Sequence, residues 1–227
     1  MVMIACCSST CPCSLPCMAD RVTACRACPT MPPARRRVPG HGPAEPLLAF
    51  VGEAPGRFGA DRTGVPFSGD RSGRFLRELI AELGLDAERD VYITNVVKCN
   101  PRDDRGNNRA PTTAEIVACR PHLEAELCLL RPRVVVPLGA LACRVLLDRP
   151  LREVRCVPIR RDGLWFFPLY HPSYAVSYGY PREQYRREFL ALGGLLGSLH
   201  GSPYQPEGNH HEEDPANTHQ GGRDSVR

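Results

Sequence analysis

The sequence predicts an α/β fold: a three-layer α/β/α sandwich around a short, mainly parallel four-stranded sheet. Apolar runs of strand length alternate along the chain with segments whose apolar residues recur at helical spacing, the pattern of parallel strands covered on both faces by helices. The 227 residues are 42% hydrophobic and 24% charged, enough for one substantial core, which excludes disorder throughout. No apolar run approaches the roughly 20 residues of a membrane helix.

Residues 47–51 form the first strand, ending in Gly52 and a glycine-rich turn. Ser72 then caps a helix carrying Phe75, Leu76, Leu79, Ile80 and Leu83, closed by Gly84. The β-branched run 91–97 is the second strand. Thr112 or Thr113 starts a helix with Ile116, Cys119, Leu123, Leu127 and Leu130 along one stripe, stopped before Pro132. Residues 133–138 make strand three, Gly139 opens a helix over 140–147, and 165–169 make strand four. A last amphipathic helix runs over 181–199. The proline-rich stretch 29–46, with its basic run Arg35-Arg36-Arg37, reads as an extended connector. Residues 1–24 read as a cysteine-rich segment outside the 25–200 domain, with Met18 as an alternative start, and 201–227 as a disordered polar tail.

Ligands of such sheets bind beyond the carboxyl ends of the strands, so the loops after strands one, two and four should converge on one site. Without the acidic tail the chain keeps 27 basic and 20 acidic residues, a balance that suits a polyanionic partner. Twelve cysteines with no export signal point to a reducing cytoplasm, where clustered thiols bind metal. Cys25-Arg-Ala-Cys28 together with Cys99 and Cys119 gives two plus two thiolates, a set open to zinc or to an iron–sulfur cluster on spacing alone. Cys128, Cys143 and Cys156 read as small buried apolar residues. Gly52-Glu53-Ala54-Pro55-Gly56 is not a phosphate loop, since no Lys-Ser or Lys-Thr follows. The long polar loop 59–73 displays a single aromatic, Phe67.

Five elements occur together in one order: Gly-Glu-Ala-Pro-Gly, Gly-Val-Pro-Phe-Ser-Gly, Ile-Thr-Asn-Val-Val-Lys-Cys, the cysteine pairs and His-Pro-Ser. In this the chain resembles the iron–sulfur uracil-DNA glycosylases from about Cys25 to Leu199. The resemblance implies a monomeric base-excision enzyme that flips deoxyuridine from single- or double-stranded DNA and hydrolyses its glycosidic bond. Flipping costs a few kcal/mol, and an aromatic platform such as Phe67 returns ~1–3 kcal/mol per stacked base. The Asn95 amide complements the uracil O4 acceptor and N3 donor. Neutral His171 donates to O2 as negative charge develops there, assisted by backbone N–H groups near Glu53 and Ala54. Gly52, Ser173 and Tyr174 complete the substrate-binding set, with Tyr174 a candidate for insertion into the base stack.

A carboxylate assists the cation-like sugar or the attacking water, and the candidates are Glu53, Asp61 and Asp70. The acidic residue that the iron–sulfur family places a few positions after Gly56 is replaced near Gly59, while Gly-Asp-Arg-Ser-Gly around Asp70 is similar to the related fifth family. The family's 4Fe–4S cluster maps onto Cys25, Cys28, Cys99 and Cys119, with residues 102–108 bulging outward between the last two. Arg57, Arg62, Arg71, Lys98, Arg105 and Arg109 are candidate phosphate contacts. Two other functions fit: a glycosylase for another deaminated base such as hypoxanthine or xanthine, and a noncatalytic metal-stabilised nucleic-acid-binding module.

Overall fold

A computed structural model describes residues 14–28, 30–32 and 34–199; the expected tail at 201–227 and Cys6, Cys7, Cys11 and Cys13 lie outside the described residues. In chain order the elements are α1 (Leu15–Thr23), β1 (Leu48–Gly52), α2 (Ala60–Thr63), α3 (Arg71–Glu82), β2 (Val91–Asn95), α4 (Thr113–Leu130) and β3 (Val134–Pro137). There follow α5 (Ala140–Leu147), α6 (Leu151–Val154), β4 (Ile159–Arg161), β5 (Leu164–Phe166), α7 (Ser173–Ser177), α8 (Arg182–Leu190) and α9 (Leu192–Leu199).

Every residue of β1, β2 and β3 is buried, which is why β1 and β3 read as apolar runs; β2 ends in the buried polar pair Thr94 and Asn95. The sheet order is β2-β1-β3-β5-β4, parallel except for β4, which runs antiparallel to β5. Leu48, Phe50, Ile93 and Val136 face one layer, packing with Leu76 and Leu79 of α3, Phe189 of α8 and Leu192 of α9. Ala49, Val51 and Val135 face the other, with Leu123 and Leu127 of α4 and Ala142 and Leu146 of α5. Among the described residues no helix is long and apolar enough to cross a membrane.

The α/β sandwich is as the sequence predicts, with five strands in place of four. The additional strand, β4, pairs with β5 across Asp162-Gly163, both at positive φ (50° and 75°), the geometry of a two-residue hairpin. Its residues are only partly buried or exposed, so no apolar run marks it, and Arg160 and Arg161 place charge on the sheet edge. The cap of α3 is Asp70 rather than Ser72: the Asp70 carboxylate accepts from the Gly73 N–H at 2.8 Å. α4 begins at Thr112 in a capping box closed by Glu115. The single helix expected over 181–199 is two, broken at Ala191 ahead of the glycine-rich start of α9.

The connector is extended but packed. Arg37 bridges to Cys99 and His41 to Ile93, both antiparallel, and Val38 is buried, so this stretch lines the outer edge of β2. α1 lies within the segment expected outside the domain; Met18 and Val22 are buried and the helix packs against α4.

Candidate active site

A cavity of about 590 Å³ opens beyond the carboxyl ends of the parallel strands. β1 leads into Glu53 and Ala54 on its wall, β2 ends in Asn95, and the segment after β5 delivers His171 and Ser173. The three expected loops therefore meet. The turn after β3 joins them, because Leu138, Gly139 and Ala140 also line the space. Gly139 sits at φ 101°, a conformation that favours glycine, and lies against His171, whose Cβ a Cβ at 139 would meet at 3.4 Å.

Phe67 lines the cavity with its backbone at φ 49°, a conformation uncommon outside glycine and held only where the surroundings enforce it. Gly73 of α3 supplies part of that constraint, since a Cβ at 73 would collide with the Phe67 carbonyl. The Phe67 ring lies 5.2 Å from the His171 ring, tilted by 34°. Gly52 forms the floor beneath both Phe67 and Asn95: a Cβ there would fall 2.5 Å from Asn95 Oδ1 and 2.7 Å from the Phe67 ring. Asn95 is buried. The structure thus brings an aromatic face and an amide to one floor at the end of the sheet.

Nδ1 of His171 accepts from the Ser173 N–H at 3.2 Å and lies 2.8 Å from the Ser173 hydroxyl. With Nδ1 accepting, the proton of the neutral ring belongs on Nε2. Burial pushes the His171 pKa down to about 4, so the ring is neutral at physiological pH and presents a single donor.

The three candidate carboxylates separate. Glu53 and Asp70 line the cavity; Asp61 does not. Asp61, in α2, is ion-paired and hydrogen-bonded to Arg102, which ties it to loop 102–108. Burial raises the pKa of Glu53. Asp70 spends Oδ1 on the α3 cap, while Oδ2 fills the space over Gly59: a side chain at 59 would collide with it, and a Cβ at Gly56 would lie 3.3 Å away. Glycine at 59 and aspartate at 70 are therefore one arrangement, two positions contending for one volume.

Asn100, Asn108 and Arg109 also line the cavity. The Asn100 amide donates to the Pro55 carbonyl at 2.6 Å and to Asn108 Oδ1 at 2.8 Å, tying loop 99–109 to the turn after β1. Asn108 Oδ1 also accepts from the Arg57 N–H at 3.1 Å, so the bonds to Pro55 and Arg57 join positions 45 and 51 apart in the chain and leave no local pattern. Among the candidate phosphate contacts, Arg62, Arg71 and Arg105 are exposed. Arg57 donates to Gly106 and Asn107, and Arg109 makes a two-point pair with Glu115 at 2.6 and 2.7 Å. Lys98 is excluded from that role: it is 1% exposed and its ammonium is paired with Glu126.

Tyr174 stands at the cavity, half-exposed, but one of its faces is covered by Tyr170 in a parallel stack at 4.8 Å. Tyr170 is held in turn by the Arg155 guanidinium 4.7 Å over its ring. Tyr178, one helical turn on and far more exposed, lines the same cavity.

Cys25, Cys28, Cys99 and Cys119 line a second, small hollow together, all as free thiols. The Lys98 N–H donates to Cys119 Sγ at 3.1 Å, and Thr30 Oγ1 lies 3.3 Å from Cys28 Sγ. Burial and the neighbouring thiols push the Cys99 pKa up to about 12, and burial raises that of Cys119. Among the described residues no three potential ligands stand at the spacing of a single bound ion. Cys128 and Cys143 are buried and Cys156 is half-buried.

Residues 39–192 match the family model described as the Uracil DNA glycosylase superfamily. The chain is 42% identical over 161 residues to a type-4 uracil-DNA glycosylase of Thermotoga maritima, covering 69% of this chain and 80% of that protein. It is 37% identical over 186 residues to the type-4 enzyme of Archaeoglobus fulgidus, covering 78% and 90%. It is also 37% identical over 155 residues to a type-5 uracil-DNA glycosylase of Thermus thermophilus, covering 56% and 68%. A solved structure, wild-type SMUG2 of Pedobacter heparinus, superposes with a TM-score of 0.51 at 18% identity, over 68% of this chain and 77% of that one, a likeness of fold. The chain belongs to the uracil-DNA glycosylase superfamily.

Proposed function

We propose that this protein is a DNA-repair glycosylase that excises uracil and leaves an abasic site. The observation that carries the proposal is one cavity holding Phe67, the Asn95 amide and an Nε2–H donor on a neutral His171. A flipped uracil stacks on the Phe67 ring and pairs its O4 and N3–H with the donor and acceptor of Asn95. Cytosine offers the reverse pattern there, a mismatch worth ~1–3 kcal/mol by analogy with bidentate base contacts. As the glycosidic bond breaks, electron density moves onto uracil O2, and His171 Nε2–H is the preorganised donor for it. Asp70 Oδ2, rather than Asp61, faces the sugar side and orients the attacking water; Glu53 stands on the same wall.

Cys25, Cys28, Cys99 and Cys119 would hold the 4Fe–4S cluster that the family resemblance implies. The chemistry of the set fits it, four thiols on one small hollow, and four thiolates could equally hold a zinc ion. Held by these four residues, the cluster would cross-link the segment after α1, the loop after β2 and α4.

The test is free-base release from uracil in single-stranded and U:G oligonucleotides, with hypoxanthine and thymine alongside. The expected result is uracil release that disappears in Asn95→Ala. Tight DNA binding with no release from any of these substrates would overturn the proposal in favour of a noncatalytic binding module.

A further inference from the structure

Lys98 stands three residues after Asn95, and almost nothing in it reaches solvent. Its Nζ donates to Glu126 Oε2 at 2.6 Å, to Thr94 Oγ1 at 2.6 Å and to the main-chain carbonyl of Asn95 at 2.8 Å. Glu126 is fully buried and accepts also from Thr94 Oγ1 at 2.7 Å and from the Gly40 N–H at 3.1 Å. The Lys98 main chain is equally engaged: its carbonyl accepts from the Val38 N–H at 2.8 Å, and its N–H donates to Cys119 Sγ.

A buried ion pair is a poor device for stability, because desolvation offsets most of the Coulombic attraction and apolar residues of similar volume serve as well or better. What this pair does that apolar residues could not is fix a carbonyl. Past Asn95 the chain leaves the sheet, with Val96 N–H and Val97 N–H bonded to the Gly52 and Glu53 carbonyls. Lys98 then turns back to hold the Asn95 carbonyl from the side of the sheet that carries α4. A side chain that must meet two atoms of a base edge tolerates errors of only ~0.5 Å and 10–20°.

We propose that Lys98, anchored by Glu126, is a positioning residue for base recognition: its ammonium sets the Asn95 backbone, and through it the direction in which the Asn95 amide enters the cavity. The proposal rests on the reading of Asn95 as the base reader. Removing Lys98 alone would strand a buried carboxylate, so the informative variant is K98M/E126Q. It deletes both charges together and keeps an amide oxygen for the Gly40 N–H.

The expected result is a melting temperature within about 4 °C of the wild type, unchanged visible absorbance, and a kcat for uracil release lowered about 10²-fold. KM for DNA, set by contacts outside this pair, should stay within about twofold, while inhibition by free uracil weakens in step with kcat. T94V touches the same ion pair without removing the Asn95 contact and should keep its kcat. If K98M/E126Q does not fold, K98L/E126Q, which likewise deletes both charges together with the Asn95 contact, must show the same loss of kcat at constant KM. A folded K98M/E126Q with wild-type kcat, beside an inactive Asn95→Ala, overturns the proposal, as does a T94V as impaired as the double variant. An active Asn95→Ala instead overturns the underlying assignment of the base reader.

Discussion

Acidification should unbalance this protein through one ring. An unperturbed histidine titrates near 6.5, whereas burial holds His171 near 4. Between those values the unfolded chain takes up a proton that the folded protein refuses, so folding stability falls as pH drops from about 6.5 toward 4 and is unaffected by this group above that window. The gap between 6.5 and about 4 corresponds to ~3 kcal/mol at most. For a domain of this size that amount lowers the melting temperature by roughly 6–12 °C. Carboxylates also weaken the fold in acid, but they are common to wild type and His171→Asn, so the difference between the two isolates the ring. Melting curves from pH 7.5 to 4.5 should converge or cross as the wild type loses its advantage. The same ring must stay neutral to donate from Nε2, so kcat should show no histidine inflection between pH 8 and 5. Parallel melting curves for the two proteins, or a kcat inflection near 6.5 that vanishes in His171→Asn, would refute the assignment of a buried neutral imidazole.

The carboxylates give a second expectation. Asp70→Asn preserves the α3 cap, since asparagine caps as well as aspartate, yet should lower single-turnover base release about 10²-fold. Asp61→Asn disturbs only the pair with Arg102 and should keep the rate. Gly59→Ala, whose Cβ would displace Asp70 Oδ2, should follow Asp70→Asn; equal rates for all three remove Asp70 from the chemistry. Third, anaerobically purified protein should be brown, with Cys99→Ser or Cys119→Ser losing that absorbance and melting lower than wild type. Colourless wild-type protein carrying stoichiometric zinc would replace the cluster with a single-ion site.

Sequence periodicity exposes whatever is repeated along the chain. The apolar runs of β1 and β3 and the β-branched run of β2 follow from burial on both faces, and once those strands are placed their ends locate the cavity. That locates the loops; there Phe67, Asn95 and His171 are singled out by the motifs shared with the uracil-DNA glycosylases. The β4–β5 hairpin left only Asp162-Gly163 as a local signal, because three half-exposed residues carry no pattern. Asp61 and Asp70 are chemically identical, nine positions apart in one loop; what separates them is Arg102 on one side and the missing side chain of Gly59 on the other, both facts of three-dimensional proximity.

Lys98 carries the lesson furthest. A lysine beside a basic loop reads as a surface charge, because an isolated charge is expelled from a core. Its burial becomes intelligible only with Glu126, 28 positions away in α4, which follows Cys119 by seven and Leu123 by three and so shares their inward stripe. The same α4 carries Cys119, which accepts the Lys98 N–H, so one helix supplies both the counter-charge under Asn95 and a thiol of the cysteine hollow. Cys119 Sγ and the Asn95 carbonyl are thus joined through two hydrogen bonds of a single residue, Lys98.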